Sequence, residues 1–97
     1  MPAQAQVLPS GSTNPSDRRL KQHVKRAGAL PNGLPLYSFQ YIWGGPTFVG
    51  VMAQDVLRVR PDAVVTDADG FYRVDYEMLS TRMMTLPQWH ELHPIAA

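Results

Sequence analysis

The 97-residue sequence predicts one small α+β domain: a short N-terminal helix, a small antiparallel sheet with an inserted short helix and a β-hairpin, and a C-terminal helix. Three patterns support this fold class. Apolar residues recur at helical spacing near both ends of the chain, aromatic residues alternate with others over 36–43, and β-branched residues flank a turn at 67–70. A chain of this length buries about two-thirds of its unfolded surface, which is enough for one modest core.

Residues 1–15 are predicted to form a flexible leader. They are rich in Ala, Gln, Ser, Gly, Thr and Pro and show neither a strand period nor a helix period. Such a segment lacks the apolar surface whose burial offsets the entropy of ordering a chain. We therefore expect the folded domain to span 16–86 and to be followed by a tail over 87–97.

A short amphipathic helix is predicted over 17–27. Ser16 has the residue type of a helix N-cap, and Gly28 has the type that follows a helix C-terminus. Between them, apolar residues recur at intervals of four and three, at Leu20, Val24 and Ala27. This narrow apolar stripe is expected to face the core, with the surrounding basic residues in solvent.

The clearest strand pattern runs from Leu36 to Trp43, where every second residue is aromatic. We expect this aromatic face to pack in the core rather than to stack nucleic-acid bases, since no basic residues interleave it. A second strand is predicted over 47–52, after the break at 44–46. Gly50 lies within this strand and indicates a close backbone approach or a bulge.

A helix of about two turns is predicted over 53–59. It is expected to end there because a proline shortly after it prevents continuation. A hairpin follows, with strands over 63–66 and 71–74. Asp75 has the residue type of an N-cap for a last helix, which is expected to stop at Pro87. The apolar seam of that helix consists of Tyr76, Leu79, Met83 and Leu86.

The core is expected to draw apolar residues from each predicted element. Its predicted members are Leu20, Val24, Phe39, Tyr41, Val49, Val51, Val56, Leu57, Val64, Val74, Tyr76 and Leu79. The segment over 89–97 shows no period, so no regular element is predicted there.

Composition excludes several classes of site and partner. The absence of cysteine excludes disulfides, thiolate metal sites and cysteine nucleophiles. A net charge of +1 gives no global attraction to nucleic acid or to an acidic membrane, and no run approaches the roughly 18 apolar residues of a membrane span. Without a secretory signal pattern, the sequence predicts a soluble protein that is intracellular or virion-associated.

No metal or other cofactor is predicted. The acidic turn at 67–70 lacks the downstream ligands of a calcium loop, and His90 and His93 are three positions apart where a zinc helix needs four. A cluster of basic residues is interpreted as a solvated helix face, with nucleic-acid binding as an alternative hypothesis. The cluster consists of Arg18, Arg19, Lys21, Lys25 and Arg26.

The stretch from Ser16 to Lys21 places a hydroxyl, a carboxylate and an amine within six residues. A serine hydroxyl becomes an effective nucleophile when a base takes its proton, and a lysine is such a base if burial or nearby cations lower its pKa from about 10.4. Positions five apart on an ideal helix are about 140° apart, so Ser16 must lie outside the helix to meet Lys21. The residues alone leave a capped helix and a nucleophile with its base as open alternatives.

Four blocks of the sequence together resemble the intramolecular chaperone auto-processing domain of endosialidases and other phage tail fibres and tailspikes. The resemblance runs in register from about 16 to 84. The blocks are Ser-Asp-Arg-Arg-Leu-Lys at 16–21, Tyr-Ser-Phe-Gln-Tyr at 37–41, Val-Gly-Val-Met-Ala-Gln-Asp-Val at 49–56, and the segment from Arg-Pro-Asp to Val-Asp-Tyr at 60–76.

The resemblance implies a domain that helps three chains of a phage fibre to register and trimerise, and that then cuts itself off. It implies Ser16 as nucleophile, Lys21 as base and the bond between Pro15 and Ser16 as the scissile bond. The supporting residues it suggests are Asp17, Arg19 and Gln54. The implied partners are two further copies of the chain, joined through the C-terminal helix, and a fibre protein fused to the N-terminus.

A non-cleaving structural trimerisation or interaction module with the same fold is the alternative. Phe48 stands where self-cleaving members often carry a polar residue, commonly His, and only 15 residues precede Ser16. The stop at Pro87 would also shorten the C-terminal helix and weaken association. In this alternative Ser16 is only a helix cap and Lys21 only a charge on the helix.

Overall fold

Two antiparallel sheets and two short α-helices make up the part of the chain that the computed structural model describes, residues 13–93. The α+β class is therefore confirmed. In chain order the elements are β1 (Thr13–Pro15), a 3-10 turn (Arg18–Leu20), β2 (Lys21–Ala29), β3 (Pro35–Tyr41), β4 (Thr47–Gly50), α1 (Ala53–Val59), a 3-10 turn (Pro61–Ala63), β5 (Val64–Thr66), β6 (Tyr72–Asp75), a 3-10 turn (Tyr76–Leu79), β7 (Met84–Thr85) and α2 (Leu86–Leu92).

The strand order is β2-β3-β4-β7 in the larger sheet and β1-β6-β5 in the smaller one. In the smaller sheet, β1 pairs with β6 so that Pro15 lies opposite Arg73. In the larger sheet, the β2–β3 pairing places Lys21 directly opposite Tyr41. The chain between β1 and β2 therefore crosses from one sheet to the other, and it carries the Ser16 to Lys21 stretch.

The predicted N-terminal helix over 17–27 is wrong, because most of this segment forms β2. The β2–β3 register shifts twice, between Gln22 and Lys25 and again between Arg26 and Gly28, and His23 has a φ of 55°. Such bulges interrupt the two-residue alternation of a strand. Because of the bulges, the apolar residues of β2 are spaced as they would be along one face of a helix. Pairing with β3 nevertheless makes this segment a strand.

The predicted leader is wrong at its last three residues. Thr13–Pro15 form β1, an edge strand of the smaller sheet. A proline fits there because an edge strand leaves one side of its backbone unpaired. Residues 1–12, the rest of the predicted leader, lie outside the described residues.

The predicted C-terminal helix over 76–86 is also wrong. Tyr76–Leu79 is a single 3-10 turn, and it ends at Ser80, whose φ is 56°. Asp75 does cap this turn, since its side chain accepts a hydrogen bond from the Met78 amide. The chain then runs through a loop into β7.

Helix α2 begins where the predicted helix was expected to stop. Pro87 lies in its first turn, a position where a proline loses no helical hydrogen bond. Thr85 and Gln88 form a reciprocal capping box at its start. The prediction of an irregular tail is thus wrong over 87–92, and residues 94–97 lie outside the described residues.

The middle of the chain follows the prediction closely. Strands β3 and β4, helix α1 and the β5–β6 hairpin all form within a few residues of their predicted bounds. Gly50 is a site of close approach, as expected, because a Cβ atom there would overlap the Tyr76 hydroxyl.

The core lies between the sheets and α1. Eight predicted members are buried: Phe39, Tyr41, Val49, Val51, Val56, Val74, Tyr76 and Leu79. Val24 is 42% exposed on β2, and the prediction was also wrong to treat Leu20, Leu57 and Val64 as fully buried, since they are half-buried. The buried apolar residues that the sequence patterns missed are Leu34, Leu36, Met52, Ala53 and Ala63.

A pair of matched truncations tests this core. Val49→Ala removes methyl groups from a side chain that is 2% exposed and is expected to lower the free energy of unfolding by about 2 to 3 kcal/mol. Val24→Ala at the exposed strand position is expected to change it by less than about 0.5 kcal/mol. Urea denaturation of both variants measures the difference, and equal losses would contradict the placement of Val24 on an exposed strand.

Candidate active site

Ser16 lies at the crossing between the two sheets and is held there by its backbone. Its amide donates to the Tyr72 carbonyl at 3.1 Å, which extends the β1–β6 pairing by one residue. Its carbonyl accepts from the Ala53 amide at 2.9 Å, at the start of α1. The residue is completely buried. Ser16 is therefore fixed between β6 and α1 and is not a helix cap, contrary to the capped-helix interpretation.

The Lys21 amine meets the Ser16 hydroxyl inside the protein. Its Nζ lies 3.0 Å from Ser16 Oγ, 2.9 Å from the Ser16 carbonyl oxygen and 2.7 Å from the Val51 carbonyl oxygen. It also lies 4.3 Å from the centre of the Phe39 ring. The 3-10 turn at Arg18–Leu20 reverses the chain, so a serine and a lysine five residues apart come together without any helix between them.

Burial lowers the pKa of Lys21 to about 7, because the charged ammonium loses most of its hydration. Asp17 and Asp55 oppose this shift through their negative charges, but burial outweighs them. Among residues 13–93, no carboxylate lies within salt-bridge distance of the amine. At neutral pH a large fraction of Lys21 is therefore an uncharged amine.

The three oxygens around Nζ satisfy both protonation states of Lys21. A neutral amine donates two hydrogens, to the Ser16 and Val51 carbonyls, and its lone pair faces the Ser16 hydroxyl. An ammonium donates to all three oxygens, and the Ser16 hydroxyl then donates to the Val51 carbonyl, which lies 2.6 Å from Oγ. One arrangement of heavy atoms thus accommodates both the neutral and the protonated form of Lys21.

Asp17 organises the turn between Ser16 and Lys21. Its carboxylate accepts hydrogen bonds from the Arg19 amide and guanidinium, the Gln54 side-chain amide and the Tyr72 amide. These donors, with the Arg19 side chain first among them, hold the pKa of Asp17 well below its usual range. Gln54 also accepts from the Arg18 amide at 2.9 Å, which ties α1 to the turn. Asp17, Arg19 and Gln54, the three predicted supporting residues, therefore lie together. Their hydrogen bonds hold the turn and do not involve the Ser16 hydroxyl.

Tyr76 is a residue of this site that the sequence analysis missed. Its hydroxyl accepts a hydrogen bond from the Val51 amide at 3.0 Å and lies 3.5 Å from Ser16 Oγ. Burial raises the pKa of Tyr76, so the phenol stays protonated. The sequence patterns had placed this side chain in the apolar seam of the last helix and in the core. The signal that pointed to it was Gly50, whose missing Cβ leaves room for the Tyr76 hydroxyl.

Tyr41 is a second residue of this site that the sequence patterns did not indicate. They had assigned it to the core alone. Its hydroxyl donates to the Pro15 carbonyl oxygen at 2.6 Å. The two residues border an open groove of about 390 Å³, and Phe48 lies on the groove wall with its ring 5.6 Å from that of Tyr41. The carbonyl of the Pro15 to Ser16 peptide therefore has a side-chain donor, and the next residue carries the hydroxyl that contacts Lys21.

A family model described as the chaperone of endosialidase matches residues 16–65, which is more than half of the chain. The chain belongs to this family. No curated protein and no solved structure matches the chain significantly. The matched segment starts at Ser16 and includes Lys21, Tyr41, Val51 and Gln54.

Other features of the described residues bear on the remaining hypotheses. Within residues 13–93 no helix is long and apolar enough to cross a membrane, and no three acidic or histidine side chains cluster as metal ligands would. The His93 ring stacks on Trp89 with 3.6 Å between the ring centres. The basic residues do not form a helix face, since Lys25 and Arg26 lie on β2 and Lys21 is buried. The nucleic-acid hypothesis thus loses the helix on which it depended.

The lowered pKa of Lys21 predicts how stability changes with pH. Between about pH 7 and 10.5 the unfolded chain holds a proton on Lys21 that the folded chain lacks, so stability rises with pH in this window. The slope from this group is at most about 1.4 kcal/mol per pH unit.

The measurement is urea denaturation from pH 7.5 to 9.5, comparing Ser16→Ala with Ser16→Ala/Lys21→Met, so that no cleavage intervenes. The double variant is expected to lack the rise. Lys25→Met in the same background, an exposed lysine on β2, is the matched control and should keep it. Parallel profiles with and without Lys21 would contradict the lowered pKa.

Proposed function

We propose that this domain is an intramolecular chaperone that cuts the bond between Pro15 and Ser16, with Ser16 as nucleophile and Lys21 as its general base. The observation that carries the proposal is the buried contact of 3.0 Å between Lys21 Nζ and Ser16 Oγ. At neutral pH much of a buried amine with a pKa near 7 is unprotonated and can accept a proton from a hydroxyl, whereas a lysine with the ordinary pKa of 10.5 is almost entirely protonated.

The proposed reaction begins with attack of Ser16 Oγ on the carbonyl carbon of Pro15. The hydroxyl proton passes to the neutral Lys21 amine, and the carbonyl electrons move onto the Pro15 oxygen. When this intermediate collapses, the bond from the Pro15 carbon to the Ser16 nitrogen breaks, and Lys21 returns the proton to that nitrogen. The product is an ester between the Pro15 carboxyl and the Ser16 side chain.

Water then completes the proposed cleavage. Lys21 takes a proton from water as it attacks the ester and returns it to the released Ser16 oxygen. The Pro15 carboxylic acid then loses its proton to solvent, which leaves a carboxylate on Pro15 and a free amine on Ser16. Ser16 and Lys21 are buried, whereas the groove beside Pro15 is open. This groove is therefore the route that we assign to the attacking water.

The chaperone part of the proposal rests on the family and on the position of the scissile bond. Family membership is consistent with a fibre protein fused before residue 16, the client that the domain would help to assemble in a phage virion or in the infected bacterium. The bond lies directly after β1, and Arg73 also holds this strand through hydrogen bonds to the Thr13 carbonyl and hydroxyl. Strand β1 would therefore keep the client docked on β6 after the cut.

We further propose that three copies associate through the C-terminal region, with α2 in the place of the longer helix predicted from sequence. Helix α2 packs against β4 and β7 at one edge of the larger sheet and leaves Leu92 60% exposed. We take Leu92, an exposed apolar side chain at the end of α2, as the position at which to test this association.

A structural, non-cleaving role for the same fold is the second candidate. The observation that favours it is that three oxygens satisfy a protonated Lys21 completely. In that case the ammonium would serve only to tie Ser16 to Val51, and the Ser16 hydroxyl would donate to the Val51 carbonyl at 2.6 Å.

Intact mass spectrometry of the purified 97-residue chain separates the two candidates. The parent is expected to lose residues 1–15 over time, and Ser16→Ala is expected to stay whole. Lys21→Met should slow the loss by on the order of 10²- to 10⁴-fold, since it removes a general base.

The cleavage rate is expected to rise through pH 7 and to level off above pH 8, as Lys21 loses its proton. Lys25→Met, which changes an exposed lysine on the same strand, is the control and should cut at the parental rate. A parent chain that stays whole through prolonged incubation at pH 8 would exclude the cleavage proposal and leave the structural role.

Light scattering tests the association proposal. Uncut Ser16→Ala at high concentration is expected to have three times the chain mass of 10.8 kDa, and Leu92→Glu is expected to shift it towards one chain. Val65→Glu, at an exposed apolar position on the smaller sheet, should leave the trimer intact. A strict monomer at every concentration would count against assembly through this domain alone.

A further inference from the structure

We propose that Tyr41 is a third catalytic residue, whose hydroxyl stabilises the negative charge that develops on the Pro15 oxygen during cleavage. This inference rests on the proposed cleavage and adds an oxyanion donor to it. The contact that carries it is the hydrogen bond of 2.6 Å from the Tyr41 hydroxyl to the Pro15 carbonyl oxygen. That oxygen is the atom that becomes an alkoxide when Ser16 attacks.

The distance and the partner fit an oxyanion donor. Such donors act when they are already placed at hydrogen-bond distance from the oxygen that gains charge, because no reorganisation is then needed during the reaction. A hydroxyl donating to a charged oxygen forms a bond roughly twice as strong as one to a neutral carbonyl. The bond therefore strengthens as the intermediate forms, which is the condition for lowering a barrier.

Pairing in the larger sheet brings both Tyr41 and Lys21 to the scissile peptide. The two residues are direct cross-strand partners in the β2–β3 pairing. Lys21 reaches the Ser16 hydroxyl, and Tyr41 reaches the Pro15 oxygen. One rung of the sheet thus supplies both the base and the oxyanion donor.

Neighbouring aromatic rings hold the Tyr41 side chain in this position. Trp43 stacks on its ring with 4.5 Å between ring centres, while Phe39 and Phe48 meet it edge to face at 5.2 and 5.6 Å. The Met83 sulfur, 3.4 Å from the hydroxyl, is a weaker acceptor than a carbonyl oxygen and competes poorly for the proton. The donor is therefore placed before the reaction begins.

The phenol also keeps its proton where the base is active. Burial raises the pKa of Tyr41 above its ordinary value of 10.0. Lys21 becomes neutral through pH 7, with its pKa lowered by burial. Other charged groups near these two side chains are Arg73, which acts on Tyr41, and Asp17, Asp55 and Arg18, which act on Lys21. Across pH 7 to 9 the site thus contains a base and a donor at the same time.

The test compares Tyr41→Phe with Tyr37→Phe in the full chain, following loss of residues 1–15 by intact mass. Both changes remove one hydroxyl from the same strand, but only the first removes a donor to the Pro15 oxygen. Tyr41→Phe is expected to slow cleavage by on the order of 10²- to 10³-fold, and Tyr37→Phe is expected to have little effect. The midpoint of the rate profile should stay near pH 7 in Tyr41→Phe, since Lys21 is unchanged.

A second measurement reports the hydrogen bond itself. In the uncut Lys21→Met background, the backbone ¹⁵N resonance of Ser16 responds to polarisation of the preceding carbonyl. Adding Tyr41→Phe is expected to move this resonance upfield, and adding Tyr37→Phe is not. The spectra also show whether each variant is folded.

The outcomes separate this inference from the cleavage proposal. A parent that cuts, together with Tyr41→Phe cutting at the parental rate, would overturn the role of Tyr41 and leave the Ser16 and Lys21 mechanism standing. An unchanged Ser16 resonance in folded Tyr41→Phe would overturn it as well. A parent that never cuts at any pH from 7 to 9 would remove the reaction and, with it, the role of Tyr41.

Discussion

The burial of the Lys21 amine is the constraint on which the rest of this structure depends. Lowering the pKa of Lys21 from 10.5 to about 7 means that the site destabilises the charged ammonium, relative to water, by on the order of 5 kcal/mol. Among residues 13–93 it has no carboxylate partner, and three uncharged oxygens and the Phe39 ring surround it. A buried amine of this kind is costly to stability and is characteristic of functional sites.

The elements around the site place its atoms without adding charge to it. Asp17 holds the turn through the Arg19 side chain and Gln54, so its negative charge is neutralised on the turn instead of forming an ion pair with Lys21. Strand β3 provides two side chains on one face. The Phe39 ring lies beside the Lys21 amine, and the Tyr41 hydroxyl donates to the Pro15 oxygen. The absence of a side chain at Gly50 leaves room for the Tyr76 hydroxyl, which lies 3.5 Å from Ser16 Oγ. Three separate parts of the chain thus converge on one peptide bond.

Sequence patterns identified the parts of this fold that depend on local chemistry. The Asp-Ala-Asp-Gly turn defined the β5–β6 hairpin, and regular alternation defined β3. The patterns were misleading where long-range pairing determined the structure: the bulged strand β2 resembled a helix, and Pro87 was taken for a helix end although the Thr85 and Gln88 capping box marks a start. Within the site, Ser16 and Lys21 were recognised from their block, whereas Tyr41 and Tyr76 act through contacts with backbone groups that no spacing in the sequence encodes.

The protonation state of Lys21 is the most direct test of this account. The side chain of uncut Ser16→Ala, labelled with ¹³C and ¹⁵N at lysine, can be titrated by NMR while the Cε resonance of Lys21 is followed. The expected midpoint for Lys21 is close to pH 7. A midpoint near 10.5 for Lys21 would mean that the amine is charged under all physiological conditions, and it would contradict the role of this residue as a base.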